Sequence, residues 1–429
     1  MKHAQYCCLA LMLAFCISLT ACMPGMAKGG TASEDVYCWV VEKWLADKLV
    51  GRVIRSCDME TGIITEELVP EGWLPVINTD IEGGLLFVEV VSESGDAVAS
   101  VYRWTGEKYE LVKTPIELDG DETEVPWLYT NQTLYSVSAI SSANPPFRYK
   151  KEYANNEAAH YIRTEDKYRG PLIDAEGNVA YYSGSYLVSP PIRYEPEVHF
   201  RLESKEVVIT CSFEHLTFCK NAAYAIAEDK LLMFFQIMDC TDTVQVWEDW
   251  ALEPEDWTME PTQSHYQLFE VDLSNQTLTP YLDARGNTID LWNVMADNAM
   301  MYYDAPGHSL FMVGKEDDPI VSILASYYEA SGDEPRPRSI MCISLETGEV
   351  TMLAADTVPP TDCETLWSVF LKMYGVDDGN TQAGPDKGLT REERLALSQE
   401  VSDALCALPE DVVVEKFTEP FVFSIYRAE

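Results

Sequence analysis

The 429-residue chain carries 71 Asp and Glu against 30 Lys and Arg, a formal net charge of −41, and a field of that sign repels nucleic acid and anionic lipid headgroups. Hydrophobic residues at 47% and aromatics at 11% are too many for a disordered acidic chain, which lacks the apolar area to offset the entropy of ordering. The body is therefore expected to fold and to bind no nucleic acid.

Chemistry at the N-terminus sets the compartment. Tyr6 to Ile17 is an uncharged apolar core preceded by Lys2, about three helical turns long and too short to span a bilayer. It reads as a signal peptide over residues 1–21. The tetrad Leu19-Thr20-Ala21-Cys22 that closes it resembles the lipobox of bacterial lipoproteins, in which small residues before the cysteine fit the signal peptidase. That resemblance implies that the Cys22 thiol takes a diacylglycerol and that Cys22 becomes the mature N-terminus. Residues 22–34, rich in Gly, Ala and Ser, suit a flexible tether between lipid and body. No later stretch reaches about 18 consecutive apolar residues, so no second membrane segment is expected.

Twelve cysteines are present, three in the signal and one at the anchor, which leaves an even number in a compartment that permits disulfides. A hairpin tip at Asp47-Lys48 places Cys38 opposite Cys57, and a tip at His215 places Cys211 opposite Cys219; buried free thiols are the alternative. Without a Cys-x2-Cys pair or histidines at ligand spacing, no metal and no cofactor are expected.

Between residues 35 and 355 the chain reads as strand after strand. Leu85 to Val91, Val98 to Trp104, Thr133 to Val137, Lys230 to Ile237, Tyr266 to Leu273 and Ser309 to Val313 are apolar, β-branched and aromatic runs bounded by turn residues. Three stretches align without gaps: Met59-Glu60-Thr61-Gly62-Ile63-Ile64-Thr65, Leu273-Ser274-Asn275-Gln276-Thr277-Leu278-Thr279 and Leu345-Glu346-Thr347-Gly348-Glu349-Val350-Thr351. Each reads as strand, tight turn, strand, because Thr-Gly or Asn-Gln accepts the backbone angles of a short hairpin. Trp104-Thr105-Gly106-Glu107-Lys108-Tyr109 is a looser copy, and Asp174-Ala175-Glu176-Gly177-Asn178 recurs as Asp283-Ala284-Arg285-Gly286-Asn287. Spacing near 45 residues suits a four-stranded blade. The arrangement resembles β-propellers carried by bacterial envelope lipoproteins, which implies an all-β fold of about seven blades, six or eight being compatible. A β-sandwich or two β domains built on the same turn is the alternative. Trp-Asp, kelch and Asp-box signatures are missing, so no propeller family follows.

Two regions break the pattern. Asp249-Trp250-Ala251-Leu252-Glu253-Pro254 is repeated as Asp256-Trp257-Thr258-Met259-Glu260-Pro261, with Trp247 nearby. Trp247, Trp250 and Trp257 read either as stacking platforms for sugar rings or as a loop folded back on the rim. Residues 361–408 read as a helical hairpin insertion. Thr361 to Glu364 and Thr390 to Glu393 have the form of capping boxes, followed by stripes Leu366, Trp367, Phe370, Met373 and Leu397, Val401, Leu405, Leu408. Val412 to Val414 and Phe421 to Tyr426 return to strand pattern and are expected to join the first blade.

No nucleophile elbow, His-Glu-x-x-His or phosphate-binding glycine loop occurs, so no catalytic residue is assigned. The reading that results is a lipid-anchored module on the extracytoplasmic face of the cell membrane. It acts by binding or scaffolding, with an envelope protein, peptide or glycan as partner. A glycan hydrolase with paired carboxylates in a propeller funnel is the alternative. A two-lobed solute receptor is disfavoured by the missing strand and helix alternation.

Overall fold

The computed structural model describes residues 35–427, leaving out several short stretches and the longer ones 119–126, 184–196, 240–263, 325–336 and 375–388, with few side chains given between 113 and 229. The fold is all-β and propeller-like, and six antiparallel units follow one another among the described residues. Unit 1 contains β1 (Val36–Leu45), β2 (Lys48–Asp58) and β3 (Ile64–Leu68). Unit 2 is β4 (Leu74–Asn78), β5 (Leu85–Glu93), β6 (Asp96–Trp104) and β7 (Tyr109–Leu118), and unit 3 is β8 (Trp127–Thr130), β9 (Thr133–Ile140), β10 (Phe147–Tyr153) and β11 (His160–Thr164). These two units join where β4 and β8 run parallel, Val76 beside Trp127. Unit 4 is β12 (Arg169–Ile173) to β15 (Glu206–Thr210) by way of β13 (Val179–Ser183) and β14 (Glu197–Leu202). Unit 5 comprises β16 (Leu216–Ala227), β17 (Lys230–Asp239), β18 (Ser264–Asp272), β19 (Thr277–Pro280) and β20 (Asp290–Trp292). Unit 6 comprises β21 (Val294–Ala296), β22 (Tyr302–Asp304), β23 (Ser309–Glu316), β24 (Arg338–Ser344) and β25 (Val350–Ala355).

The side chains show why these sheets stack face to face. Successive residues of a strand point to opposite faces, and in four of the units one strand sends alternate residues into two different cores. Cys38 and Val40 of β1 enter one core while Trp39 and Val41 enter another. Leu85 and Phe87 of β5 are parted from Leu86 and Val88 in the same way. On β17, Leu232 and Phe234 oppose Leu231, Met233 and Phe235; on β23, Leu310 and Met312 oppose Phe311 and Val313. A sheet buried on both faces needs a neighbour on each side, which is the condition a blade in a propeller meets.

The aligned hairpin turns share a bonding scheme. The residue ending the first strand closes the turn: Asp58 Oδ1 accepts from the N–H groups of Glu60 and Thr61, both at 2.9 Å. Asp272 Oδ1 accepts from Ser274 and Asn275 at 2.9 and 2.8 Å, and Ser344 Oγ accepts from Thr347 at 3.2 Å. Four residues on, the backbone turns left-handed in each, at Gly62 (φ 68°), Gln276 (φ 57°) and Gly348 (φ 70°).

Two expectations are corrected. Cys38 and Cys57 form no disulfide: both are buried free thiols. Leu45 pairs with Lys48, so the strands start in an earlier register than a tip at Asp47-Lys48 would set, and the shift between Lys43 and Trp44 makes up only part of the difference: Cys38 lies opposite Ser56 and Tyr37 opposite Cys57, with the two sulfurs on opposite faces of the sheet. Cys38 Sγ lies 3.0 Å from Ser56 Oγ instead. Cys211 and Cys219 lie outside the residues whose side chains are described. In helix α1 (Cys363–Tyr374) the cap is Asp362, not Thr361: Asp362 Oδ1 accepts from the Thr365 N–H at 3.0 Å and Oδ2 from its hydroxyl at 2.6 Å. Of the expected stripe, Leu366 and Met373 are buried beside Val369 and Phe370 packs against them, whereas Trp367 is 48% exposed. Helix α2 (Arg391–Ala404) has the expected capping box, Thr390 with Glu393, and packs Leu397, Val401 and Leu405 against α1 and against Val321 and Leu324. Leu408 lies outside the described residues.

After the helices the chain returns to its start. β26 (Val413–Phe417) and β27 (Phe423–Tyr426) both pair antiparallel with β1, from Leu45↔Val413 to Val36↔Tyr426, as the sequence pattern implies. Phe423 stacks on Phe311 of unit 6 at 4.8 Å and meets Tyr37 edge-on at 5.7 Å. Urea denaturation is expected to show Phe423→Ala costing about 3–5 kcal/mol, through lost burial plus a cavity. Trp367→Ala, which empties no core site, is expected to cost below ~1 kcal/mol.

Candidate functional site

Of the residues singled out from sequence, Leu19, Thr20, Ala21, Cys22, Trp247, Trp250 and Trp257 lie outside the described residues. Among the described residues, no group of three His, Cys, Asp or Glu side chains is placed to hold a metal ion. Two other constellations emerge, one around Arg427 and one on unit 5.

The first surrounds Arg427. Its Nε lies 3.6 Å from Asp35 Oδ2, and its two terminal nitrogens pair with Glu82 and Asp304. Three elements converge here: the start of β1, the β4–β5 turn and the β22–β23 turn. Only 4% of the Asp304 side chain is exposed. Burial pushes its carboxyl above the ordinary value, a hydrogen bond from the Gly307 backbone opposes this, and the Asp35 carboxylate adds to the rise. Adjacent bonds fix the strand that carries the arginine. Ser424 Oγ donates to the Ile81 carbonyl at 2.7 Å, and the Tyr426 hydroxyl donates to the Trp104 carbonyl at 2.5 Å while accepting from the Leu85 N–H at 3.1 Å. Tyr302 donates to the Phe421 carbonyl at 3.0 Å from unit 6. With one guanidinium shared by three carboxylates of distant sequence, the cluster acts as a latch that includes Asp35, the first described residue.

The second constellation is on unit 5. Register places Trp292 of β20 opposite His265 of β18, and the rings stack at 4.2 Å with an interplanar angle of 18°. Trp292 is 50% exposed, so one indole face rests on imidazole and the other meets solvent. Beneath it, His265 Nε2 lies 3.8 Å from Asp290 Oδ1, whose other oxygen accepts from the Thr288 hydroxyl at 2.6 Å. Burial lowers the His265 pKa below its ordinary value, and the Asp290 carboxylate opposes that shift. The fold therefore favours the uncharged imidazole. The arrangement is a stiff, flat aromatic platform with a carboxylate under its rim. The sequence does not mark it, since the only local signal is the polar, apolar, aromatic order of Asp290-Leu291-Trp292 and the stacking partner is 27 residues away. Among the other histidines isolated in sequence, His308 is left-handed (φ 45°) and its ring nitrogens face the hydroxyls of Tyr281 and Tyr303 at 3.5 and 3.4 Å.

No family model and no curated protein matches the chain. Solved structures are similar at low identity. TolB from Acinetobacter baumannii shares 8% identity at a TM-score of 0.37, over 73% of this chain and 62% of that one. The β-propeller domain of the trilobed protease from Pyrococcus furiosus shares 9% at a TM-score of 0.36, over 76% and 93%. The acylaminoacyl peptidase from Pyrococcus horikoshii shares 11% at 0.34, over 75% of this chain and 50% of its own length. The chain thus spans about 62% of TolB, the first of these.

The His265 environment yields a titration. The unfolded chain takes up the proton more readily than the folded one, so the stability lent by the neutral imidazole is present above a pH near 6.5 and is lost as pH falls below it. Imidazole NMR is expected to place the His265 midpoint below the ordinary range, and Asp290→Asn is expected to lower it further.

Proposed function

We propose that the chain is a lipid-anchored module of the bacterial envelope, on the extracytoplasmic face of the cell membrane, that works by binding or scaffolding. The observation that carries this reading is the tetrad Leu19-Thr20-Ala21-Cys22, closing an apolar run and followed by a Gly-rich stretch. The described body supports it: stacked sheets, buried on both faces, form a rigid support whose loops are free to vary. Among the described residues no helix is long and apolar enough to cross a membrane, and a net charge of −41 gives no attraction to anionic headgroups. Under this reading attachment falls to the lipid on Cys22. The two acyl chains of a diacylglyceryl cysteine supply the two hydrophobic signals that stable attachment requires.

Labelled palmitate fed to expressing cells is expected to enter the wild-type protein and to be absent from Cys22→Ser, which should shift from the membrane fraction to the soluble one. Label and membrane partition that survive Cys22→Ser would overturn the reading.

A further inference from the structure

Topology relates the tether to the aromatic platform. β23 is paired along its length by two short strands: Asp304 of β22 lies opposite Ser309 at one end, and Val294 of β21 opposite Glu316 at the other. Asp304 is held by Arg427, beside Asp35, where residues 22–34 enter the body. Val294 is two residues beyond Trp292. The point of entry and the platform are therefore separated by the length of β23, eight residues or roughly 25 Å at the rise of a strand.

We infer that the body stands on the membrane with its Arg427 end inward and presents Trp292 outward, as the platform on which a guanidinium or ammonium group of a basic partner docks. The orientation rests on the anchoring proposed above; the ligand chemistry does not. A tether of residues 22–34 has a root-mean-square reach of roughly 20 Å as a flexible coil, so the Arg427 end stays near the lipid surface and the opposite end clears it.

Three features select a cation. An exposed indole face attracts positive charge through its quadrupole, and Arg or Lys over Trp is the strongest of these pairings. Burial of His265 beneath the ring disfavours a protonated imidazole there, which would repel a cation. Asp290 contributes a carboxylate oxygen that is buried and makes no hydrogen bond, and the chain as a whole carries 71 acids against 30 bases, so its long-range field draws basic partners and raises their association rate.

The test uses the full lipidated chain, first in detergent and then anchored in phosphatidylcholine liposomes, with hexa-arginine as the probe and maltohexaose as the neutral comparison, by calorimetry at low ionic strength. Hexa-arginine is expected to bind in both settings with one affinity, and Trp292→Ala to weaken it roughly fivefold in both, with Trp292→Phe intermediate. Trp367→Ala, an equally exposed indole on α1, is expected to leave it unchanged. Equal affinity for wild type and Trp292→Ala, or an equal loss with Trp367→Ala, would overturn the platform, as would tighter binding of maltohexaose. Binding in detergent that disappears on liposomes would overturn the outward orientation while leaving the anchor intact. Failure to anchor in liposomes would overturn the lipid reading, with the detergent comparison still deciding the platform.

Discussion

The pairing of the C-terminal strands with β1 is the contact on which the rest of the body depends. Without β26 and β27, unit 1 consists of three strands with an open inner edge, and an unpaired edge presents a row of unsatisfied backbone donors and acceptors. With them in place, the rings of Phe417, Phe421 and Phe423 fill the core that also takes Trp39, Phe311 and Tyr302. Charge reinforces the seam at two points: Arg427 reaches three carboxylates, and Arg338 donates to Asp356 at 3.0 Å and to the Phe417 carbonyl. Asp356 in turn accepts from the Phe417 N–H at 2.6 Å. Pairs this buried add little net stability over an apolar substitute, yet removing one member leaves an uncompensated charge, so they specify register more than they add strength.

Much of this architecture is legible in the sequence because its signals are local. A hairpin turn is decided by four or five residues, and the Thr-Gly and Asn-Gln tips mark it at Gly62, Gln276 and Gly348. The capping box at Thr390 and Glu393 is equally local. Strands buried on both faces show as unbroken apolar runs, as in Leu231 to Phe235 or Leu310 to Val313, in place of a polar and apolar alternation. What escapes is whatever depends on a shift by one residue or on a distant partner. The hairpin of β1 and β2 starts from Leu45 opposite Lys48, and the irregularity at Lys43 and Trp44 only partly offsets that, which leaves Cys38 opposite Ser56 and not Cys57. A neighbouring acceptor displaced Thr361 as the cap of α1, because the Asp362 carboxylate reaches both the N–H and the hydroxyl of Thr365. The stack of Trp292 on His265 exists only once β18 and β20 are paired.

The acid excess is arranged, at least on unit 1, so that its few cations count more than once. Arg55 pairs with Glu66 and with Glu415, both within 3 Å, and Lys43 bridges the same two acids at 3.0 and 3.4 Å. That four-residue lattice crosses β1, β2, β3 and β26, tying both ends of the chain together on a partly exposed face. Individually such pairs contribute on the order of 0–1 kcal/mol. As a network on adjacent strands they set which edges meet, and the unneutralised remainder leaves the field of the molecule negative.

Tyr426 bonds to residues more than 320 positions earlier in the chain, which has a consequence for biogenesis. Contacts of that sequence separation form late, since the loop must close before they return any energy. A chain made N-terminus first therefore carries an incomplete first unit until β26 and β27 are available to pair with β1. Closure acts as a check on completeness: a product truncated anywhere before residue 413 retains a raw strand edge and an open aromatic core, marks of incomplete folding that expose it to proteolysis and aggregation.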